Sequence, residues 1–390
     1  MPDGDDTGGI EAAVRVLPGI GVVAAAEWDA CAGSANPFLG HAFLSALEDS
    51  GAVTAESGWL PRHLVVEDTA GRVVGAMPLY LKGHSYGEYV FDWAWADAYE
   101  RAGGRYFPKL LSAVPFTPVP GPRMLVRPDA DRARVEEVLA GGVVGLIERL
   151  GVSSAHVNFL PRDQWERFGE FGFLQRTGLQ YHWSNDGYAD FDAFLAALSS
   201  RKRKAIRKER REVAETGLTI RRLTGSAIED RHWEAFFRFY VDTSDRKWGS
   251  PYLNRRFFDL LGERLSERIL LVVAERDGTP VAGALNLIGD DTLYGRNWGC
   301  VEDHPFLHFE ACYYQAIEFA IERGLAKVEA GAQGPHKLQR GYLPVETYSA
   351  HLFADPRLRD AIADFLRRER RQVTRERELM AADSPFRKDG

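Results

Sequence analysis

The segment GAQGPHKLQRGY, residues 331–342, holds the densest group of side chains that could do chemistry. Its polar side chains are Gln333, His336, Lys337 and Arg340. Glu329 lies just before it on a predicted strand, and polar groups at the end of a strand are typical of sites in α/β proteins. His336 and Glu329 are candidate catalytic residues, of which His336 could take a proton from an amine, and the cations could hold an anionic group. The alternative is a surface loop with ordinary ion pairs.

A second group of candidate residues opens the helix predicted over 308–324. His308 and Glu310 are two residues apart and therefore point to different faces of that helix. Either could serve as the base, although Glu310 in the first turn could instead complement the helix dipole. His308, Cys312 and His336 suggest a metal, but the His-x-x-x-Cys spacing needs further ligands, and we expect no metal site.

Aromatic and basic side chains alternate along the strand predicted over 291–300. The alternation places three of them on one face: Tyr294, Arg296 and Trp298. An arginine between two aromatic rings is suited to an anionic substrate, and the alternative is a packed aromatic ladder with the arginine at its rim. Asp92 and Trp93 stand at the corresponding position in the first half of the chain and are also candidates for substrate binding.

The elements that must position these residues follow a weak internal repeat. The segments 62–83 and 268–289 each contain a Leu-Val-Val run, a polar turn with a glycine, and a returning apolar run. This pattern predicts a β-hairpin in each half. Each hairpin is followed by an aromatic segment, 87–95 and 291–300, that is predicted to form a third strand.

In both halves the third strand is followed by a predicted helix and a further strand. The segments are 135–151 and 153–160 in the first half, and 308–324 and 325–332 in the second. Gly324 is well placed to end its helix. Three antiparallel strands, a helix and a returning strand form the middle of a GNAT-type acyltransferase domain. We therefore predict an α/β fold of two tandem GNAT-like domains, 1–180 and 181–390, each a mixed, mostly antiparallel sheet flanked by helices.

Other segments of the chain connect or surround these elements. The halves are expected to join near 176–190, where polar residues and glycine interrupt the periodicity. The proline-rich segment 114–122 cannot be regular structure, so it either lines a cleft or forms a rigid surface loop. We also predict a basic helix over 199–213 and a C-terminal surface helix over 355–380 with a charged, solvated face.

The composition excludes several classes of protein. The 390 residues are 45% hydrophobic and 27% charged, which is ordinary for a globular protein. No run of about 18 apolar residues occurs and the N-terminus lacks the features of a secretion signal, so we expect a cytoplasmic protein without a membrane span. The net charge of −7 opposes nucleic acid and anionic membranes at long range. Three cysteines without a CxxC pair favour a reducing compartment.

Long strings of the sequence resemble one protein family. They lie at 199–213, 247–258, 291–300, 308–321 and 331–351 and, in the first half, at 36–51 and 113–125. Together they resemble the tandem-GNAT, FemAB-like N-acyltransferases labelled peptidoglycan biosynthesis/recognition proteins. The sequence departs from that family at Pro335, where an acidic residue is usual, and at Asn297, where an aromatic residue is usual. A role for an acidic group at position 335 therefore cannot be carried over.

The resemblance implies transfer of an acyl or aminoacyl group to an amine of a small molecule or peptide, in the cleft between the halves. Acyl-CoA or aminoacyl-tRNA would be the co-substrate, with no tightly bound cofactor. His336 or Glu310 would deprotonate the amine, and the cations Lys337, Arg340 and Arg296 would hold an anionic part of the donor or acceptor. One alternative is a Fem-like transferase that uses aminoacyl-tRNA. The other is a degenerate GNAT pair that binds a peptide or cell-wall precursor without turnover.

A donor that carries phosphate needs an anion site, usually a glycine-rich turn at the start of a helix. The second half lacks such a turn, because the segment 301–307 carries two acidic residues. The first half has YERAGGRYFPKLL at 99–111, in which the candidates are Arg101, Gly103, Gly104 and Arg105. The alternative there is a plain turn. The basic stretch 201–211 could contact RNA phosphates, or it could be a solvated helix face.

Overall fold

The computed structural model describes residues 13–247, 251–331 and 334–387. The strands are β1 Ala13–Leu17, β2 Trp59–Pro61, β3 His63–Glu67, β4 Val73–Met77, β5 Tyr80–Lys82, β6 Lys109–Ser112, β7 Leu125–Val126, β8 Ser154–Leu160, β9 Leu174–Ser184, β10 Thr219–Thr224, β11 Ile269–Arg276, β12 Thr279–Ile288, β13 Thr292–Cys300, β14 Lys327–Glu329 and β15 Leu343–Phe353.

The α-helices are α1 Ala25–Ala32, α2 His41–Asp49, α3 Trp93–Arg101, α4 Arg132–Leu150, α5 Arg162–Glu170, α6 Phe191–Ala197, α7 Ser200–Ala214, α8 Asp230–Lys247, α9 Arg255–Leu265, α10 Leu307–Phe309, α11 Gln315–Glu322 and α12 Pro356–Ala382. A π-helical turn, Glu310–Tyr314, joins α10 to α11. Short 3-10 turns cover Ile20–Val22, Gly225–Ala227, Ser266–Arg268 and Pro335–Arg340.

Eleven strands from both halves of the chain form one continuous sheet. Their order is β10-β11-β12-β13-β14-β9-β15-β8-β6-β5-β2, and a separate sheet has the order β1-β3-β4-β7. Most neighbours are antiparallel, while β13 with β14 and β6 with β8 are parallel. The predicted fold class, a mixed and mostly antiparallel α/β structure flanked by helices, is confirmed.

Both predicted hairpins are present. In the second, Asp277 has φ 50° and Gly278 has φ 78°, the pair of positive φ angles that a tight hairpin turn requires. In the first, β3 and β4 are joined by a turn in which Gly71 has φ 78°. The local turn chemistry therefore produces the repeat that the sequence predicts.

The third strand predicted over 87–95 is wrong. Residues 93–101 form helix α3, which turns Trp95 toward Phe353 with 5.8 Å between the ring centroids. A short aromatic run satisfies either a strand or a helix pattern, and packing on residues far along the chain selects the helix. In the second half, the corresponding segment forms strand β13 as predicted.

The join predicted near 176–190 contains β9, a strand of eleven residues. This strand pairs with β15 along most of its length and with β14 at its last three residues. Strand β15, from the second half, therefore lies between β8 and β9, and the predicted boundary at 180 falls inside β9. The division into domains 1–180 and 181–390 stays a prediction.

The predicted C-terminal helix is α12, and its apolar edge packs on the sheet. Leu358, Ile362 and Leu366 are buried along one edge. Arg176 on β9 donates to both carboxylate oxygens of Glu369, at 2.8 and 2.7 Å. The opposite face of α12 is charged and exposed, as its sequence pattern indicates.

Candidate functional site

A cavity of about 310 Å³ lies between side chains from the two halves of the chain. The first half contributes Phe38, Phe43, Leu47, Tyr89, Phe116, Thr117 and Pro118. The second half contributes Leu253, Phe257, Leu261, Leu285, Leu287, Gly295, Arg296, Asn297, Ala330, Gly331 and Lys337. The proline-rich segment 114–122 therefore lines a cleft, the first of the two alternatives that its sequence allows.

Strands β13 and β14 open a gap in the sheet beside this cavity. They pair only from Thr292 opposite Lys327 to Tyr294 opposite Glu329, and β13 then continues without β14. On the other side of β13, Asn286 lies opposite Gly295 and Leu285 opposite Asn297, so that Arg296 is the extra residue of a β-bulge. Bulges redirect side chains and are frequent next to active sites.

The bulge corrects the predicted alternation along β13. Tyr294 packs on the cavity side, 5.3 Å from the ring of Phe38. The Trp298 ring lies 5.4 Å from that of His308 and packs against the hydrophobic cluster that contains Ala284 and Tyr313. The three residues predicted on one face are therefore divided between two, because one extra residue shifts a strand pattern of period two.

Arg296 presents unsatisfied donors at the cavity wall. Its guanidinium lies 4.7 Å from the ring centre of Phe38 and 5.5 Å from that of Tyr294. Nη1 donates to the Gly295 carbonyl at 2.9 Å, whereas the buried Nε and Nη2 find no acceptor among the described residues. Burial lowers the pKa of Arg296 to about 10, and the nearby carboxylate of Glu329 opposes that shift. Buried donors without acceptors favour an anionic or carbonyl oxygen in the cavity.

Glu329 supplies a carboxylate on the same face of the sheet. It is 1% exposed and lies directly between Tyr294 on β13 and His182 on β9. Oε1 is 3.4 Å from Nζ of Lys327, while Oε2 is buried and has no hydrogen-bond donor in the described part of the chain. An unpaired buried carboxylate oxygen beside a cavity is suited to accept a proton.

Lys337 reaches the cavity from the 3-10 turn after β14. Its Nζ donates to the carbonyls of Ala330 at 2.6 Å and Gly331 at 3.2 Å. Burial lowers its pKa to about 8, and the positive charge of Arg296 acts in the same direction. Two neighbouring cations therefore lie at the polar end of an apolar cavity.

The remaining residues of the turn form a second cluster, outside the residues that line the cavity. His336 lies 2.9 Å from the Tyr313 hydroxyl and its ring packs near His308. Burial lowers the pKa of His336, and the charges of Lys337 and Arg340 lower it further. Arg340 lies 3.4 Å above the ring of Phe309 and donates to Glu209 at 2.8 Å. Gln333 lies outside the described residues.

Glu310, a predicted base, is held in a structural ion pair. Arg210 donates to both of its carboxylate oxygens at 3.0 Å, and Gln315 donates to one of them at 2.7 Å. Arg210 also pairs with Glu318 at 2.7 Å, at the wall of a surface groove of about 500 Å³. Arg210 and Glu318 in the groove therefore pair with each other, whereas Arg296 in the cavity between the halves keeps two donors without an acceptor among the described residues.

The first-half candidates lie away from the cavity. Asp92 is buried and accepts from Lys109 and Tyr106, and Trp93 is 40% exposed on α3. Burial acts to raise the pKa of Asp92, but the charges of Lys109 and His156 lower it to about 2. Asp92 therefore serves a buried polar network rather than the strand position that was predicted.

The glycine-rich turn in the first half follows the end of a helix, not the start of one. The four candidates there are Arg101, which is the last residue of α3, and Gly103, Gly104 and Arg105, which follow it. Arg101 pairs with Asp97 at the surface, and a Cβ on Gly104 would lie 2.5 Å from the Tyr99 ring. The carbonyl end of a helix repels phosphate, so this geometry does not favour the predicted anion site.

Comparison with known proteins identifies the family. The model of the FemAB-like family, described as peptidoglycan biosynthesis/recognition, matches residues 19–388. The chain belongs to the FemAB-like family. It is 26% identical, over 75% of its length, to a Mycobacterium tuberculosis protein that carries the name 8-amino-7-oxononanoate synthase 2. This FemAB-like chain spans 39% of the length of that relative.

Solved structures share the fold of this FemAB-like protein at low sequence identity. The crystal structure of FemX aligns with a TM-score of 0.54 and 13% identity, covering 87% of this chain and 98% of FemX. L-PGS from Bacillus licheniformis aligns with a TM-score of 0.51 and 10% identity, covering 85% of this chain and 98% of L-PGS. Likeness at these identities supports the predicted fold.

Several cavity residues of the FemAB-like protein are not evident from its sequence. Phe38 and Tyr89 come from the first half, and Gln180 holds the proline-rich loop by donating to the Pro118 carbonyl at 2.9 Å. The proline run was the signal that pointed to this wall. Within the described residues, no group of three or more His, Cys, Asp or Glu side chains could hold a metal ion. In the same ranges, no helix has the length and apolar character needed to span a bilayer.

Proposed function

We propose that this FemAB-like protein transfers an acyl or aminoacyl group from an activated ester or thioester to an amine bound in the cavity between its halves. Membership of the FemAB-like family supports a transferase. The observation that carries the proposal is a group of charges at and beside one end of that cavity. Arg296 has two donors and Glu329 one oxygen without partners among the described residues, and Lys337 adds an ammonium group that donates to two backbone carbonyls.

Glu329 is the proposed base. An amine attacks a carbonyl carbon only after it loses a proton, and a carboxylate within hydrogen-bond reach, or one water away, can remove it. Glu329 immediately precedes two residues that line the cavity, Ala330 and Gly331, and its Oε2 has no donor within the described ranges. Glu310 is unsuited to this role because Arg210 occupies both of its oxygens.

Arg296 is proposed to stabilise the negative charge that develops on the carbonyl oxygen or to hold an anionic part of the acceptor. Preformed donors aimed at an oxyanion act most strongly where water is excluded, and the Nε and Nη2 atoms of Arg296 are buried at the cavity wall. Lys337 adds a second positive charge nearby. Both roles need the apolar surroundings that Phe38 and Leu285 provide.

The donor is proposed to approach through the gap between β13 and β14, from the side of His336 and Arg340. These residues lie on the turn that follows β14, across β13 from the packing of Tyr294. The carbonyl carbon would then meet the amine at the bulge around Arg296. This arrangement keeps donor and acceptor on opposite sides of one opened sheet.

A second candidate function, with aminoacyl-tRNA as the donor, is favoured by the start of α7. Arg201, Lys202, Arg203 and Lys204 make no ion pair within the described ranges, whereas Arg207, Lys208, Arg210 and Arg211 further along the helix all do. Burial lowers the pKa of Lys202, and the charges of Arg201 and Arg340 lower it further. A cluster of cations without partners, near the donor side of the site, is suited to polyphosphate or RNA.

The experiment that tests the proposal is a ligand titration followed by a turnover assay. Acetyl-CoA, longer acyl-CoAs and aminoacyl-tRNA are each added to the protein, and thermal stability is measured against ligand concentration. Stabilisation by a CoA thioester supports that donor, and stabilisation by aminoacyl-tRNA alone supports the second candidate. If a donor binds but no amine of a panel is acylated, the proposed transferase activity is wrong and a binding function is favoured.

A further inference from the structure

We propose that the amine acceptor is an apolar α-amino acid, bound with its side chain in the cavity, its carboxylate at Arg296 and its amino group at Glu329. The role of the amino acid as acceptor rests on the proposed function, whereas its binding in the cavity does not. It follows from three properties of the cavity: its wall, its volume and the order of charges at its polar end.

The wall of the cavity is apolar beyond the charged end. Leucine and phenylalanine make up nine of the eighteen lining residues, and seven of these side chains are each no more than 3% exposed: Phe38, Phe43, Leu47, Phe257, Leu261, Leu285 and Leu287. A lysine or a sugar packed against these seven side chains would lose its hydration without gaining polar partners. The wall therefore selects an apolar group.

The volume limits the size of that group. An apolar cavity of about 150 Å³ holds a benzene molecule, so about 310 Å³ holds about twelve non-hydrogen atoms. A phenylalanine or leucine molecule fits this limit. A peptide or a muropeptide-sized acceptor does not fit inside, and only one residue of it could enter.

The charges select the head of the ligand. Arg296 offers two donors that have no acceptor among the described residues, in the fork geometry that carboxylates bind, and Lys337 adds a second cation. Glu329, on the same face, offers an ammonium group one carboxylate oxygen that has no donor in the part of the chain that the structure describes. A cation at the end of the cavity and a carboxylate beside it, on the strand that leads to the lining residues Ala330 and Gly331, match the adjacent carboxylate and amine of an α-amino acid.

The reaction then balances without a further reagent. The ammonium group gives one proton to Glu329, and the free amine attacks the carbonyl carbon of the ester or thioester. A C–N bond forms while the C–S or C–O bond breaks. The second proton of the attacking nitrogen passes to the leaving thiolate or alkoxide, and the product is an N-acyl or N-aminoacyl amino acid.

The test uses binding first, without any donor. Calorimetric titration compares phenylalanine and leucine with phenethylamine, which lacks the carboxylate, with 3-phenylpropionate, which lacks the amine, and with lysine. We expect phenylalanine to bind at least about tenfold more tightly than each of the two analogues and lysine, since each omits a charge-assisted contact or an apolar fit. Equal affinity for phenylalanine and phenethylamine, or no heat with either amino acid, overturns the proposal.

Variants locate the binding. Arg296→Gln is expected to weaken phenylalanine binding about 10- to 100-fold and to remove the preference over phenethylamine. Ala330→Leu narrows the cavity. We therefore expect it to weaken the binding of free phenylalanine more than the binding of free alanine. Arg72→Gln, at an exposed ion pair on the β3–β4 turn, is the control. If both cavity variants bind phenylalanine as the native chain does, the assigned site is wrong. The ligand series uses the native chain, so it tests the proposal even where a variant fails to fold.

A transfer assay separates this inference from the proposed function. Products formed on lysine or peptide amines, with none on phenylalanine or leucine, overturn the acceptor while the transferase stands. Carboxylate-dependent binding of phenylalanine without transfer from any CoA or tRNA donor leaves the binding site standing and overturns the transferase.

Discussion

Replacing Glu329 by Gln removes the proposed base while it keeps the shape of the side chain. Oε2 of Glu329 has no hydrogen-bond donor in the described ranges, and Oε1 is 3.4 Å from a lysine that is 39% exposed. An ion pair with so exposed a partner contributes at most about 1 kcal/mol, so the free energy of unfolding should change little. The variant therefore tests chemistry rather than folding.

We expect Glu329→Gln to lower kcat about 100- to 10,000-fold, which is the usual contribution of a general base. This corresponds to about 3–5 kcal/mol of transition-state stabilisation, because each factor of ten is worth about 1.4 kcal/mol. KM for the acyl donor should be nearly unchanged, since the donor is proposed to bind on the other side of β13. Release of free thiol from an acyl-CoA, followed spectrophotometrically at several pH values, measures both constants.

The matched control for this experiment is Glu310→Gln, at the other predicted carboxylate base. Arg210 already holds both oxygens of Glu310, so kcat of this variant should fall less than threefold in the fraction that remains folded. A Glu329→Gln variant that keeps kcat within threefold of the native chain would refute the reasoning. A larger loss in Glu310→Gln than in Glu329→Gln would transfer the role of base to Glu310.

Three further outcomes are expected. The pKa of Lys337 is lowered to about 8, so its charge is present below that pH and lost above it. The KM of an acceptor that bears a carboxylate should therefore rise above about pH 8. A pH series on Lys337→Met should show no such rise. Arg210→Met leaves the buried Glu310 without its cation and should lower the free energy of unfolding by about 3 kcal/mol in urea titration; a loss below 1 kcal/mol would contradict the structural role. Gly278 has φ 78°, so Gly278→Ala should cost about 1–2 kcal/mol by the same titration, whereas no change would indicate that the turn relaxes.

Elements with local causes could be predicted from the sequence. The hairpin at Asp277 and Gly278 and the helix that ends near Gly324, where φ is 65°, depend on residues within one turn of each other. Helix α4 likewise ends at Gly151, with φ 61° in the left-handed region. Turn and cap chemistry acts over a few residues, so these elements are visible in the chain order.

Elements with distant partners could not be predicted. Helix α3 exists where a strand was expected, because Trp95 packs on β15 and Asp92 is bound by Lys109 from β6. Strand β9 passes through the expected domain boundary because it finds partners on β14 and β15. Contacts across the fold decide which strands pair. The sequence of a short aromatic or polar segment does not indicate these contacts.

The candidate site divides in the same way. The sequence by itself determined which groups are available: the cations Arg296 and Lys337, the carboxylate Glu329 and the rigid proline-rich loop. Only the tertiary structure decided which of them meet, because the β-bulge turns Arg296 and Trp298 to different faces and Arg210 occupies Glu310. The residue type determines the chemistry that a side chain can perform. Its pKa, its partners and its access to solvent depend on the burial and charge around it, and residues from both halves of the chain create these surroundings.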